Sequence, residues 1–260
     1  MAEYQGRGAW SSKGVGGTLK KTTVKKVVQT VPGPYYMLHS TPLAQVGMRA
    51  FLMKYAGQPV DMNDDAVHHG VIAIQVLVAG LGIPCPIHGV YDVETDTAVR
   101  KAQGQLGLVA DGIVGQSTMK KLLLPLIKRV AREQMNQDWR PIYGVLANEG
   151  AFDPGAVGFL DAEDLGLAQI NMPSHPDVKF ADAFCPSYAV KFVAGLLGQA
   201  LSVFHDERDS IAAYNLGIGG TRAWIAAGRP DLWSPPHAPD RERNVKKYID
   251  NILKASEGIA

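Results

Sequence analysis

Pro141-Ile142-Tyr143-Gly144-Val145-Leu146-Ala147-Asn148-Glu149 runs apolar up to a single carboxylate, and Gly150-Ala151-Phe152-Asp153-Pro154-Gly155-Ala156-Val157 follows at once. Pro141 suits the first turn of a helix, and Gly150 is a natural C-cap. The stretch therefore predicts a short apolar helix whose last residue is Glu149. A carboxylate there faces the negative end of the helix dipole and apolar neighbours, and both favour its protonated form. A carboxyl held protonated near neutrality is suited to donate a proton to a glycosidic oxygen. On helix ends in general, solvated glutamates outnumber catalytic ones, so the surroundings decide.

Outward from Glu149, the C-terminal side reads as helical. Helices are predicted for Pro125 to about Trp139, Tyr188–Phe204, Asp209–Asn215, Thr221–Ala227 and Asp240–Lys254, with no strong strand alternation. Two further stretches stand out, Gly166-Leu167-Ala168-Gln169-Ile170-Asn171 and Ala212-Ala213-Tyr214-Asn215-Leu216-Gly217, the latter followed by Trp224. Gln169 and Asn215 offer side-chain amides that donate and accept hydrogen bonds, and Tyr214 offers an aromatic face.

On the N-terminal side, Asp64-Asp65 precede Val67, Val71, Ile74, Val78 and Leu81, a capped helix with one buried face that Gly82 closes. Ile87-His88-Gly89-Val90-Tyr91 and Ala110-Asp111-Gly112-Ile113-Val114-Gly115 then form an internal repeat of turn plus helix. Thr95 is expected to cap the second helix, with Ala98, Val99, Ala102 and Leu106 on its face, and Ser117 or Thr118 to start the third.

These residues resemble a known module. Ile74-Gln75, Gly89-Val90-Tyr91-Asp92, Thr95, Ala98-Val99, Gln103, Gly107-Leu108, Asp111-Gly112-Ile113-Val114-Gly115 and Thr118 are similar to the three-helix peptidoglycan-binding domain. Asp92 stands where that family closes its first turn with glycine, and Ala102 where it has an aromatic. The stretch from Glu149, the Gly166 stretch and the Tyr214-Asn215 stretch, in that order, resemble the soluble lytic transglycosylase and goose-type lysozyme-like family. Here too there are departures: Gly150 and Gly158 replace serines, and the loop before Gly166 is longer and carries Asp161, Glu163 and Asp164. The family's C-terminal tyrosine, which touches the catalytic carboxyl, falls at Asn244 or, one turn later, at Tyr248; Tyr248 is the one carried forward.

The resemblance implies a mainly α protein. A small three-helix peptidoglycan-binding domain (41–124, motif core 65–124) follows a basic arm (1–40), and an all-α lysozyme-like domain (125–260) comes last. It implies Glu149 as the catalytic acid, with Gln169, Asn171, Tyr214, Asn215 and Tyr248 binding substrate and no metal or organic cofactor. The expected reaction cleaves the β-1,4 bond between N-acetylmuramic acid and N-acetylglucosamine by lytic transglycosylation, giving 1,6-anhydromuropeptides. Two alternatives stay open. One is a hydrolysing muramidase with a base among Asp161, Glu163 and Asp164. The other is a structural tail or baseplate protein with an inactive lytic fold, to which Gly150 and Gly158 lend support.

Composition bounds the remaining choices. With 46% apolar and 20% charged residues among 260, the chain can bury a core and is not disordered. No apolar run approaches a bilayer span and no Sec-type leader is visible. Cys85 and Cys185 read as isolated thiols, each before a proline. The sequence lacks a zinc-type histidine pair, a nucleophile elbow and a phosphate loop. Residues 1–31 carry Arg7, Lys13, Lys20, Lys21, Lys25 and Lys26 against Glu3 alone, though the whole chain is only +1. That arm suits a virion protein or an anionic outer-membrane surface, with some strand propensity at Thr22–Val24 and Val27–Val31; no aromatic interleaving marks nucleic-acid binding. The expected partner is bacterial peptidoglycan. The domain order resembles phage endolysins or virion lysins, made in the host cytoplasm and acting on the periplasmic wall.

Overall fold

The computed structural model describes residues 66–134, 138–156, 158, 164–235 and 242–259. The basic arm, the Asp64-Asp65 cap, Asp161 and Glu163 lie outside these residues. The described protein is mainly helical, as the sequence predicts. Its elements are α1 (Ala66–Ala79), α2 (Val93–Gln105), α3 (Gln116–Glu133), α4 (Trp139–Glu149), β1 (Asp164–Leu165), β2 (Ile170–Asn171), α5 (Phe180–Ala183), α6 (Pro186–Phe204), α7 (Glu207–Ala226), β3 (Leu232–Trp233), β4 (Arg243–Asn244) and α8 (Val245–Ala255). They divide into two compact units. One holds the described residues up to Pro125 together with Gly150–Ala189, the other Leu126–Glu149 with Val190–Ala260.

In the first unit, Val71, Ile74, Val78, Ala98, Val99 and Ala102 of the expected apolar faces are buried, together with Met119, Leu122 and Leu123 of the third helix, while Leu81 and Leu106 are half-buried. The turns between the helices are held by two buried glutamines. Gln75 Oε1 accepts from the backbone N–H groups of His88 (3.0 Å) and Gly89 (2.9 Å), and its Nε2 donates to Val90 O and Thr95 Oγ1, each at 2.9 Å. Gln103 repeats the pattern one turn segment later. Its Oε1 accepts from Gly112 N at 2.8 Å, and its Nε2 donates to Ile113 O (3.0 Å), Asp111 Oδ1 (2.9 Å) and Thr118 Oγ1 (3.2 Å). Gln75 thus fills both donor and both acceptor positions of its amide, while Gln103 shares its two N–H donors among three acceptors and accepts once. Tyr91 links the two turns by donating its hydroxyl to Gly112 O at 2.7 Å.

This arrangement corrects two expectations. Thr95 does not cap α2: Asp92 does, accepting from Thr95 N at 2.8 Å. Thr95 and Thr118 are instead buried hydroxyl partners of the two glutamines, each donating back to the turn carbonyl, Val90 O and Ile113 O. The departure at Asp92 therefore has a structural role. The third helix begins at Gln116 and does not restart at Pro125, which lies inside α3. A mid-helix proline costs a hydrogen bond. Here the ring faces solvent while Leu122, Leu123, Ile127, Val130 and Ala131 keep one continuous buried stripe across it.

In the second unit, α4 packs against α8, which buries Val245, Ile249 and Ile252. Gly144 makes the approach possible, since a Cβ there would overlap the Ile252 carbonyl oxygen. The separate helices expected at Asp209–Asn215 and Thr221–Ala227 form one element, α7, broken at Gly217 (φ 70, ψ 164). Beside it, Arg229 grips the buried Asp209 with Nε to Oδ1 at 2.9 Å and Nη2 to Oδ2 at 2.7 Å. The last helix starts at Val245, capped by Asn244, and not at Asp240. Two small antiparallel ribbons, β1–β2 and β3–β4, appear where no strand was expected. By length and composition α6 is apolar enough to cross a membrane, against the sequence reading. It carries Lys191 and a buried stripe of Ala189, Val190, Val193, Ala194, Leu197 and Ala200, the pattern of a core helix.

Replacing Gln103 by leucine nearly keeps the volume and removes the hydrogen bonds of its side chain to Gly112 N, Ile113 O, Asp111 and Thr118. Leaving buried donors and acceptors unmet costs about 1–3 kcal/mol each. Urea unfolding of the whole chain is expected to show a loss of at least about 2 kcal/mol; a change within experimental scatter contradicts the role given to Gln103.

Candidate active site

Glu149 is the last residue of α4 and is half-buried. The chain after it leaves the helix through an unusual route. Gly150 is not the left-handed residue; Ala151 (φ 49) and Phe152 (φ 61) are. Two successive side-chain-bearing residues in that region cost on the order of 1–3 kcal/mol each. Burial of Phe152 and Asp153 and a hydrogen bond from Asp153 N to Gly150 O at 2.7 Å hold them there. Gly150 is glycine for a different reason: a Cβ would sit 2.5 Å from Leu167 O. Gly158 is also tight, its Cβ position 3.1 Å from the Asp164 Cβ. The departure from serine at Gly150 thus follows from backbone crowding against the β1–β2 hairpin, while at Gly158 the neighbour is the Asp164 side chain.

The hairpin itself is the Gly166 stretch. Gly158 N donates to Asp164 O at 2.7 Å and Gly166 N to Ala156 O at 2.8 Å, so the segment after Glu149 is laced to it. Gln169 sits in the hairpin turn with φ 46, its Nε2 donating to Gly166 O at 3.0 Å. Asn171 Nδ2 donates to Asp164 Oδ1 at 3.0 Å, and Asn171 Oδ1 accepts from Ser174 N at 3.0 Å. Asp164, one of the three loop acids considered as a base, is therefore tied into the ribbon. Gln169 and Asn171 belong to the first unit.

The second unit brings together Glu149 and the remaining candidates. The hydroxyl of Tyr248, on the first turn of α8, donates to Glu149 Oε1 at 2.6 Å. Asn244, the other position considered for the tyrosine, instead caps α8 by accepting from Lys247 N at 2.8 Å. Burial, and after it the Glu149 charge and hydrogen bond, push the Tyr248 phenol well above its ordinary range, with Tyr214 adding to the push and Arg243 opposing it. The phenol is thus a proton-bearing donor to the carboxyl at all ordinary pH. Tyr214 and Asn215 end the first segment of α7, just before the break at Gly217. Asn215 Oδ1 accepts from Arg243 Nη1 at 2.8 Å. Arg243 escaped the sequence reading, because its role depends on a strand pairing that no local pattern announces.

Residues 68–122 match the family described as "Putative peptidoglycan binding domain", and residues 127–230 match the family described as "Transglycosylase SLT domain". The chain joins a peptidoglycan-binding domain to a transglycosylase SLT domain. No curated protein matches it. The SLT match spans Glu149, Gln169, Asn171, Tyr214 and Asn215, while Tyr248 and Arg243 lie beyond its end. Together the two domains support a lytic transglycosylase role on peptidoglycan.

The crowding at Gly150 gives a test that runs against the family pattern. Restoring serine by Gly150→Ser is expected to destabilise the SLT domain by about 1–3 kcal/mol, the cost of overpacking a filled site, read as a lowered unfolding midpoint. An unchanged midpoint contradicts the reported approach of Leu167. Separately, Tyr248→Phe keeps the ring and removes the donor to Glu149. Its expected signature is a fall in wall turnover of about tenfold or more with little loss of fold; turnover equal to the parent contradicts a role for this hydroxyl.

Proposed function

We propose that Glu149 is the sole acid–base residue of a peptidoglycan lytic transglycosylase. It protonates the oxygen joining N-acetylmuramic acid to N-acetylglucosamine as an oxocarbenium-like state develops at muramic C1, assisted by the neighbouring N-acetyl group. The C1–O bond breaks and the N-acetylglucosamine end leaves with its new hydroxyl proton. Glu149, now a carboxylate, takes the proton from the muramic 6-hydroxyl as that oxygen closes on C1. A 1,6-anhydro ring forms, no water is consumed, and Glu149 is returned protonated. One carboxyl serves both halves.

The observation that carries this reading is the 2.6 Å hydrogen bond from Tyr248 to Glu149, a residue that ends α4 inside the stretch matched to the SLT family. A water-using route needs a second carboxylate about 6.5–9.5 Å away, and Asp164, the described member of the loop acids, is committed to Asn171. Of the glycines that favoured an inactive structural protein, Gly150 is accounted for by backbone crowding against Leu167, so it does not argue against catalysis. In this reading residues 41–124 hold the wall and residues 125–260 cut it, which raises the local substrate concentration. Gln169, Asn171, Tyr214 and Asn215 position the glycan. The chain acts as a phage endolysin or virion lysin, with residues 1–31 docking on a virion protein or an anionic outer membrane.

Glu149→Gln preserves shape while removing the exchangeable carboxyl proton. It is expected to lower release of soluble muropeptides from purified sacculi by at least about 10²-fold, with sacculus binding and unfolding midpoint unchanged. A variant that still clears sacculi near the parental rate removes Glu149 from the mechanism.

A further inference from the structure

Arg243 belongs to none of the sequence motifs and lies outside both family matches. Its backbone is nonetheless fixed. Arg243 pairs with Trp233 and Asn244 with Leu232 in the β3–β4 ribbon, Val245 N donates to Asp231 O at 2.9 Å, and Asn244 caps α8. Five residues after Arg243 comes Tyr248, on the first turn of that helix. The arginine is therefore anchored to the same turn that delivers the phenol to Glu149.

From this anchor, Arg243 Nη1 donates to two acceptors of one residue, the backbone oxygen of Asn215 and its side-chain Oδ1, the latter at 2.8 Å. The first contact is explained by the break in α7. With Gly217 out of helical geometry, the carbonyls just before it are those of a helix end, which lack intrahelical donors and favour a nearby cation. The second contact settles the amide's orientation. A side-chain amide is ambiguous until its network is known. Here the oxygen is held by a cation that can only donate, so the Asn215 Nδ2 donors point away from the guanidinium.

We propose that Arg243 is a positioning residue, which turns the Asn215 amide so that its N–H donors meet an oxygen acceptor on the glycan, and locks that amide to the α8 turn bearing Tyr248. This rests on the reading of the second unit as the glycan-cutting one. The acceptor class is a neutral carbonyl or hydroxyl oxygen, as on an N-acetylated sugar, and not an ammonium or an amide donor. Aspartate at 215 would present no donor and is excluded by the same logic.

The test is a double-mutant cycle on the full chain, following muropeptide release from purified sacculi together with thermal unfolding. Arg243→Lys keeps the charge but has a shorter reach. It is expected to unfold within a few degrees of the parent and to lose about tenfold or more in kcat/KM. Asn215→Ala is expected to lose a similar factor. The variant carrying both changes is expected to be no slower than Asn215→Ala alone, because Arg243 acts through that amide. Arg243→Lys at the parental rate, or a double variant slowed by the product of the two single losses, overturns the proposal. A parent protein that releases no muropeptides overturns the cutting assignment itself, which is a different failure.

Discussion

The hydrogen bond between Tyr248 and Glu149 joins residues far apart in sequence, and much of the second unit is arranged to make it possible. It requires the end of α4 to meet the start of α8. Side-chain-free contact at Gly144 lets the α4 backbone reach Ile252, and the apolar face of α8 supplies the burial that holds the pair together. Asn244 then fixes where α8 begins, so that its first turn presents the phenol and not its neighbours. A phenol whose proton is retained by burial and by the adjacent carboxylate is a one-way donor. It orients one oxygen of Glu149.

The first unit solves a different problem with the same economy. Its turns between α1, α2 and α3 each bury a glycine, Gly89 and Gly112, whose amide needs a partner from outside the turn. Gln75 and Gln103 each insert a side-chain amide from a helix into the following turn, replacing the backbone partners that a strand would have offered. Glutamine suits this because it carries donor and acceptor on one planar end. Leucine of the same volume would orphan the turn. That is the physical content of the repeat seen in the sequence: a helix, its glutamine, a turn with glycine at positive φ (Gly89, Gly112) and a threonine that completes the network.

Helices and their apolar faces were legible because periodicity records burial directly, and Glu149, Tyr214-Asn215 and the Gly166 stretch were legible as ordered motifs. What was not legible depends on partners remote in sequence. Thr95 looks like a cap until Gln75 is seen to occupy its hydroxyl. Pro125 looks like a helix start until the stripe from Leu122 to Ala131 is seen to run unbroken past it. Gly150 looks like a C-cap, yet its reason is Leu167, and the left-handed residues are the two that follow. Arg243 had no signal at all, since its meaning comes from the β3–β4 register and a break in α7. The placement of Tyr248 over Asn244 came from a choice of one helical turn, which the position of the α8 cap explains.

At the centre of this account stands one carboxyl that both gives and takes the proton, with no second base and no water. The mass of the products addresses that directly. Digestion of purified sacculi by the intact chain, followed by mass spectrometry of the soluble fragments, is predicted to give muramic acid ends as the 1,6-anhydro form. Fragments heavier by one water, with reducing muramic ends, would contradict it and place a base beside Glu149.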